Sequence, residues 1–215
     1  MREAAARSLD VQSQELRAGL RVARIGADVR TELFLADALE NGAGYCTHLG
    51  APNEFAKVLA EARGFMKKLS QPPHSEQCDS SCYDCLRDYF NMAFHPLLDW
   101  RLGRDMLDLL EKGAVDIASW GGAERDLAES FCRDFGGQRV TLDGDVQAID
   151  AGAPWPLLIV AHPLESTHPD FLTQRLGLAW ADAESRAGER RILVDDVFNL
   201  LRRPGVVASR IYSGA

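Results

Sequence analysis

Three thiols fall within eight residues, in Cys78-Asp79-Ser80-Ser81-Cys82-Tyr83-Asp84-Cys85, and His74 stands four residues ahead of the first. Gln71-Pro72-Pro73 precede them, so the segment is a turn and not the interior of a helix. Thiolates placed this closely can converge on one small cation. Zn²⁺ takes four nitrogen or sulfur ligands in a tetrahedron, at roughly 2.0–2.3 Å. Cys78, Cys82, Cys85 and His74 would fill it and leave no open position, which describes a structural site and not a catalytic one. Cys46 is the alternative fourth ligand. It is the better ligand chemically, but the chain must fold back past a helix for it to arrive. His74 lies on the same turn as the thiols, so little chain entropy is spent in closing the site.

The elements that must position these residues are legible in part. Residues 2–18 read as helix with a break near Leu9-Asp10, and Leu16 and Leu20 are expected to point inward. Residues 32–37 read as a short buried strand. Gly42-Ala43-Gly44 permits a tight turn at a helix start, for close packing or for an anion. Phe55, Val58, Leu59, Ala62, Phe65, Met66 and Leu69 recur at three and four and predict a helix over 54–69. A second helix is expected over 97–111, with Leu98, Leu102, Met106, Leu109 and Leu110 on one face and Gly113 as its cap.

The composition changes at Gly113. Residues 122–135 predict a helix with Phe131 inward and Cys132 in the core, and Asp143-Gly144 predicts a hairpin between strands at 138–141 and 146–149. The apolar run 155–161 reads as a central strand, followed by a helix near 170–184, a strand at 191–194 and a last strand near 206–212. The expected class is α+β: a helical zinc-binding domain over 1–112, then a small α/β domain over 113–215.

The totals narrow the function. The chain has 215 residues, 46% of them hydrophobic, enough for real cores. It shows no apolar run of membrane-spanning length and no secretory signal at its start. With five cysteines and no export signal, a reducing, cytoplasmic setting and metal ligation are expected over a disulfide framework. The net charge is −8, about −3 before Gly113 and about −5 from it onward. Phosphate neutralisation supplies most non-specific DNA affinity, so tight autonomous DNA binding is not expected. Weak, salt-sensitive contact through Arg17, Arg21, Arg87, Arg101 and Arg104 is the expectation instead.

Taken together, Leu33-Phe34-Leu35-Ala36-Asp37, Gly42-Ala43-Gly44-Tyr45, the Cys78–Cys85 cluster, Asn91 and Leu98-Asp99-Trp100-Arg101 resemble the MrfA-type zinc-binding (MZB) domain of superfamily-two DNA helicases of repair and phage defence. The resemblance covers roughly residues 1–112. It implies zinc, nucleic acid and an ATPase motor as context. It also implies a C-terminal helicase piece or a separate subunit, because the chain itself has no Gly-x₄-Gly-Lys-Ser/Thr loop or other motor motif. Two alternatives stand beside it. The cysteine spacing also marks radical SAM enzymes, which hold a [4Fe–4S] cluster, although no repeating βα series follows. Asp143, Asp145, His162, Glu165 and His168 could serve a metal-dependent nuclease, although no lysine occurs from Gly113 onward.

Overall fold

The computed structural model describes residues 1–26, 28–39 and 42–213, so Asn41 beside the Gly-Ala-Gly turn lies outside them. The chain is α+β, with helices and two small sheets. It divides into two compact units, Met1–Ala114 and Val115–Ala215.

In the first unit, α1 (Arg2–Leu9) ends at Asp10, which takes a left-handed conformation at φ 55°. The helix expected to reach residue 18 therefore stops halfway. Leu16 opens β1 (Leu16–Ile25), which pairs antiparallel with β2 (Asp28–Asp37) along its whole length. Leu16 is buried as expected, but Leu20 is 65% exposed. These two leucines fit a four-residue helical spacing, yet Leu16, Ala18, Leu20 and Val22 alternate, and the alternation prevails. The strand expected at 32–37 forms as the end of β2, but it is not buried. A two-stranded ribbon has no second sheet over it, and Leu33 and Phe34 remain exposed.

A short helix α2 (Tyr45–Leu49) leads into α3 (Pro52–Leu69), which begins on proline and buries Val58, Ala62, Met66 and Leu69. α3 packs against α1 and against α5 (Trp100–Lys112), and α4 (His74–Gln77) follows it closely. Asp99 caps α5, and Gly113 closes it at φ 67° as expected. The inward face of α5 differs from the expected one. Trp100 and Leu107 are buried, whereas Leu109 and Leu110 are exposed. Gly103 explains this, since a Cβ there would stand 3.1 Å from the Met66 Cε of α3. The close approach at Gly103 turns the residues three before and four after it toward α3.

The second unit is built on a four-stranded sheet in the order β3 (Gln138–Leu142), β4 (Val146–Asp150), β5 (Leu157–Ala161), β6 (Ile192–Asp196). The first three run antiparallel and β6 runs parallel to β5. The hairpin at Asp143-Gly144 and the apolar interior strand are both as expected. α7 (Gln174–Ala187) lays Leu176, Ala179 and Ala183 against Val146, Ala148 and Ile159. α6 (Gly121–Phe135) packs on β3, β4 and α8 (Val197–Arg202). Phe131 is buried, and Cys132 is part-buried rather than fully in the core. The strand expected at 206–212 is instead the helix α9 (Pro204–Tyr212). Pro204 starts it, and Val207, Ala208 and Ile211 form its buried face at helical spacing.

Candidate metal centre

The turn after α3 gathers His74, Cys78, Cys82 and Cys85, whose ligand atoms all lie within 4.8 Å of one another. Cys82 Sγ stands 3.6 Å from Cys85 Sγ and 3.6 Å from His74 Nε2, and Cys78 Sγ stands 4.0 Å from Cys85 Sγ. A tetrahedron with zinc–sulfur arms of about 2.3 Å and a zinc–nitrogen arm of about 2.0 Å has S···S edges of about 3.8 Å and S···N edges of about 3.5 Å. The separations fit one ion at the centre. A cube of four irons is far wider than one ion, and its ligand sulfurs could not approach to 3.6 Å.

His74 is set by its other nitrogen. Nδ1 lies 2.9 Å from the Leu69 carbonyl, which can only accept, so Nδ1 carries the proton. The Nε2 lone pair is thereby left to face the sulfurs, as second-shell bonds commonly fix a ligating histidine. The thiols differ in acidity. Burial pushes Cys78 up and Cys85 up to about 12. Cys82 is also raised by burial, but hydrogen bonding with Cys85 and His74 outweighs this and holds it below the usual thiol range. Three thiolates cannot share so small a space without a cation to neutralise them.

Cys46 is outside this group. Burial, then hydrogen bonding to Asp37, pushes its thiol up to about 11. Asp37 is instead the hub of the Gly-Ala-Gly turn. Its carboxylate accepts from the Gly44 amide at 2.9 Å and the Cys46 amide at 2.8 Å. These bonds, Cys46 first, hold Asp37 below the usual carboxylate range. A Cβ on Gly42 would meet Asp37 at 2.5 Å, so glycine is required there. The helix start that could have received an external anion is already served by an internal one.

The Leu-Asp-Trp-Arg stretch fastens the cysteine turn to α5. Trp100 donates from Nε1 to the Cys78 carbonyl at 3.0 Å and from its amide to the Ser80 carbonyl at 2.8 Å. Its ring meets the His74 ring edge-on, with centroids 5.7 Å apart. The buried Asp99 caps the helix through the Arg101 amide and pairs with the Arg101 guanidinium, which also donates to the Asp79 carbonyl. With His74 bound to Leu69, the turn is tied to the end of α3 and the start of α5. Sequence reading quoted Trp100 and Asp37 only as motif letters, and their partners lie too far along the chain to be seen there.

Residues 1–86 match the family model of the MrfA Zn-binding domain. The MZB match ends just past Cys85, so it takes in the whole His/Cys group and Cys46. A stretch of 111 residues is also 32% identical to Druantia protein DruE of Escherichia coli (strain UMEA 4076-1). It covers 51% of this chain and 6% of that protein. No solved structure matches the chain.

Of the five arginines expected at nucleic acid, four have partners within the protein. Arg101 and Arg104 pair with the buried Asp99 and Asp105. Arg87 donates to the Ser81 hydroxyl at 3.0 Å, and Arg21 pairs with Glu32 across the ribbon at 2.7 Å. Arg17 is exposed on β1. In the second unit His162 and Glu165 are buried, and Glu165 accepts from the His162 amide, Thr173 and Arg175. Asp143, Asp145 and His168 are exposed. No helix among the described residues is long and apolar enough to cross a membrane.

Proposed function

We propose that the first unit is a zinc-stabilised, non-catalytic accessory module of a superfamily-two DNA helicase system, with His74, Cys78, Cys82 and Cys85 as the ligands. The observation that supports it most is the closeness of those four atoms, with three separations of 3.6–4.0 Å and all within 4.8 Å. Zinc here supplies folding energy and no chemistry, because four protein ligands leave no site for water or substrate. The protein's part is to hold a short turn between two helices so that Trp100, Asp99 and His74 fix the junction. The ATPase motor would lie elsewhere in a longer polypeptide or on a separate subunit, in a cytoplasmic repair or defence context. The second unit would be an accessory α/β body.

This reading gives DNA a minor direct role. Most of the expected arginine contacts are already committed to neighbouring carboxylates and to Ser81, so affinity of the isolated chain for DNA should be weak and fall with salt. Metal analysis of the purified chain should return one zinc per chain and no iron, and Cys82→Ser should lose it. Iron with visible colour, or full zinc in Cys82→Ser, would defeat the proposal. ATP hydrolysis by the chain alone would defeat its non-catalytic part.

A further inference from the structure

The first unit holds a groove of 340 Å³ whose lining includes Ala18, Phe65, Leu86, Phe90, Phe94 and Leu98. One wall is the 3-10 segment Tyr89–Leu97, where Tyr89, Phe90 and Phe94 are 76%, 64% and 59% exposed. The other wall begins at Ala18, which shares a face of β1 with Leu20 and Val22. Leu20 stands directly opposite Leu33 in the ribbon register, so the apolar surface continues outward along both strands. Aromatic and aliphatic area of this extent is costly to leave in water and marks an interaction site.

The charges around it select the partner. Of the carboxylates in residues 75–99, Asp88 pairs with Arg2, which also lines the groove, and the buried Asp99 pairs with Arg101. Glu76, Asp79 and Asp84 are exposed. The Tyr83 ring packs edge-on against His95 at 5.6 Å, which sets this acidic turn beside the aromatic wall. A phosphate backbone laid along that wall would meet carboxylates, so base stacking on these aromatics is disfavoured despite their exposure. A second copy docked face to face would bring one acidic rim against another. We infer that the groove receives an amphipathic helix of a protein partner, with apolar residues on one side and lysine or arginine flanking them. This rests on the reading of the unit as an accessory module and names the surface through which it would be held.

The test uses the zinc-loaded full chain and a fluorescent Leu/Lys amphipathic peptide of about five turns, roughly 18 residues. Fluorescence anisotropy should show it binding at least about tenfold more tightly than a Leu/Glu peptide of the same pattern. Phe90→Ser combined with Phe94→Ser should weaken it about tenfold or more, with zinc content and melting unchanged, since both rings already face water. Phe171→Ser, an exposed site in the second unit, should change nothing. Equal binding of the two peptides, tighter binding of oligothymidine, or unaltered binding by the double variant would overturn the inference. So would a dimer in sedimentation that the double variant abolishes, because the occupant would then be a second copy. Zinc content separates the two failures: a zinc-free wild-type chain defeats the module reading, and a zinc-loaded chain that ignores the peptide defeats this one.

Discussion

The two units reach stability by different means. The second closes a sheet between helices and leaves Phe135, Leu164, Phe171, Leu178 and Val206 as its exposed large hydrophobics among the described residues. The first, of nearly the same length, leaves fifteen, from Leu20 to Leu110. Its ribbon enters the core only near its open end, through Leu16 and Leu35, and the rest of the buried set is one face of α3, small residues of α1, Leu49, Cys78, Cys85 and two side chains of α5. A unit so short of buried apolar area needs another source of free energy, and the His/Cys turn at the junction of α3 and α5 is placed to supply it. A sheet core distributes its stabilisation over many contacts, whereas a metal-organised core concentrates it in a few ligands.

The largest expected effect follows from that contrast. Structural zinc binds small domains with about 10–16 kcal/mol, as much as a whole domain's stability of about 5–15 kcal/mol. Chelation, or Cys82→Ser, should therefore unfold residues 1–114 while the second unit stays folded. Hydrogen exchange resolved along the chain would show protection lost in α3 and α5 and kept in β4 and β5. Cys46→Ser should keep its zinc. Uniform loss of protection across both units would mean that they do not fold independently.

The converse substitution comes next. Leu158 is 1% exposed on the interior strand β5. Leu158→Ala should cost the second unit about 2–5 kcal/mol, the range for truncating a buried leucine, with zinc content unaltered. A drop in melting confined to the first unit would reverse the assignment of cores.

Legibility in the sequence followed the same division. In the second unit the elements that carry the core were readable, because a turn such as Asp143-Gly144 and a run such as 155–161 state their conformation locally. α9 was not, since Val206-Val207 favours a strand by composition and only the burial of Val207, Ala208 and Ile211 decides for a helix. In the first unit the His74, Cys78, Cys82 and Cys85 cluster was legible from spacing, and α3 from its periodicity. The β-ribbon was half missed because Leu16 and Leu20 fit two periods at once. The latches were missed for a different reason. Asp37 reaches Cys46 across a turn, and Trp100 reaches Cys78 across 22 residues, so neither contact leaves a local trace.

Trp100→Phe sharpens the comparison at a smaller scale. It keeps most of the buried ring and removes the Nε1 bond to the Cys78 carbonyl. Leaving a buried carbonyl without its donor costs about 1–3 kcal/mol. The zinc affinity should fall with the melting temperature, because the carbonyl belongs to Cys78, one of the proposed ligands. Titration with a competing chelator would measure it. Lower stability with unchanged zinc affinity would mean that the turn holds its shape without the tryptophan.

The smallest effect concerns a charge pair in the second unit. Asp150 ends β4 and pairs with Arg190 just before β6, and the Arg190 hydrogen bonds hold its carboxyl below the usual carboxylate range. A folded-state pKa below the unfolded value of about 3.9 means that the pair stabilises the fold above that pH, and that the stabilisation is lost as pH falls through the folded value. The pair is partly exposed and screened, so it is worth less than about 1 kcal/mol. Asp150→Asn should lower the second unit's melting by a few degrees at pH 7, and the difference from the wild type should shrink below about pH 4 as Asp150 protonates. High salt should reduce the pH 7 difference as well. The first unit should not share this signature: its acid loss should come with zinc release, because metal binding is coupled to ligand deprotonation, and Asp150→Asn should leave that release unchanged. A pH-independent deficit in Asp150→Asn would assign the residue to packing at the strand end and not to its charge.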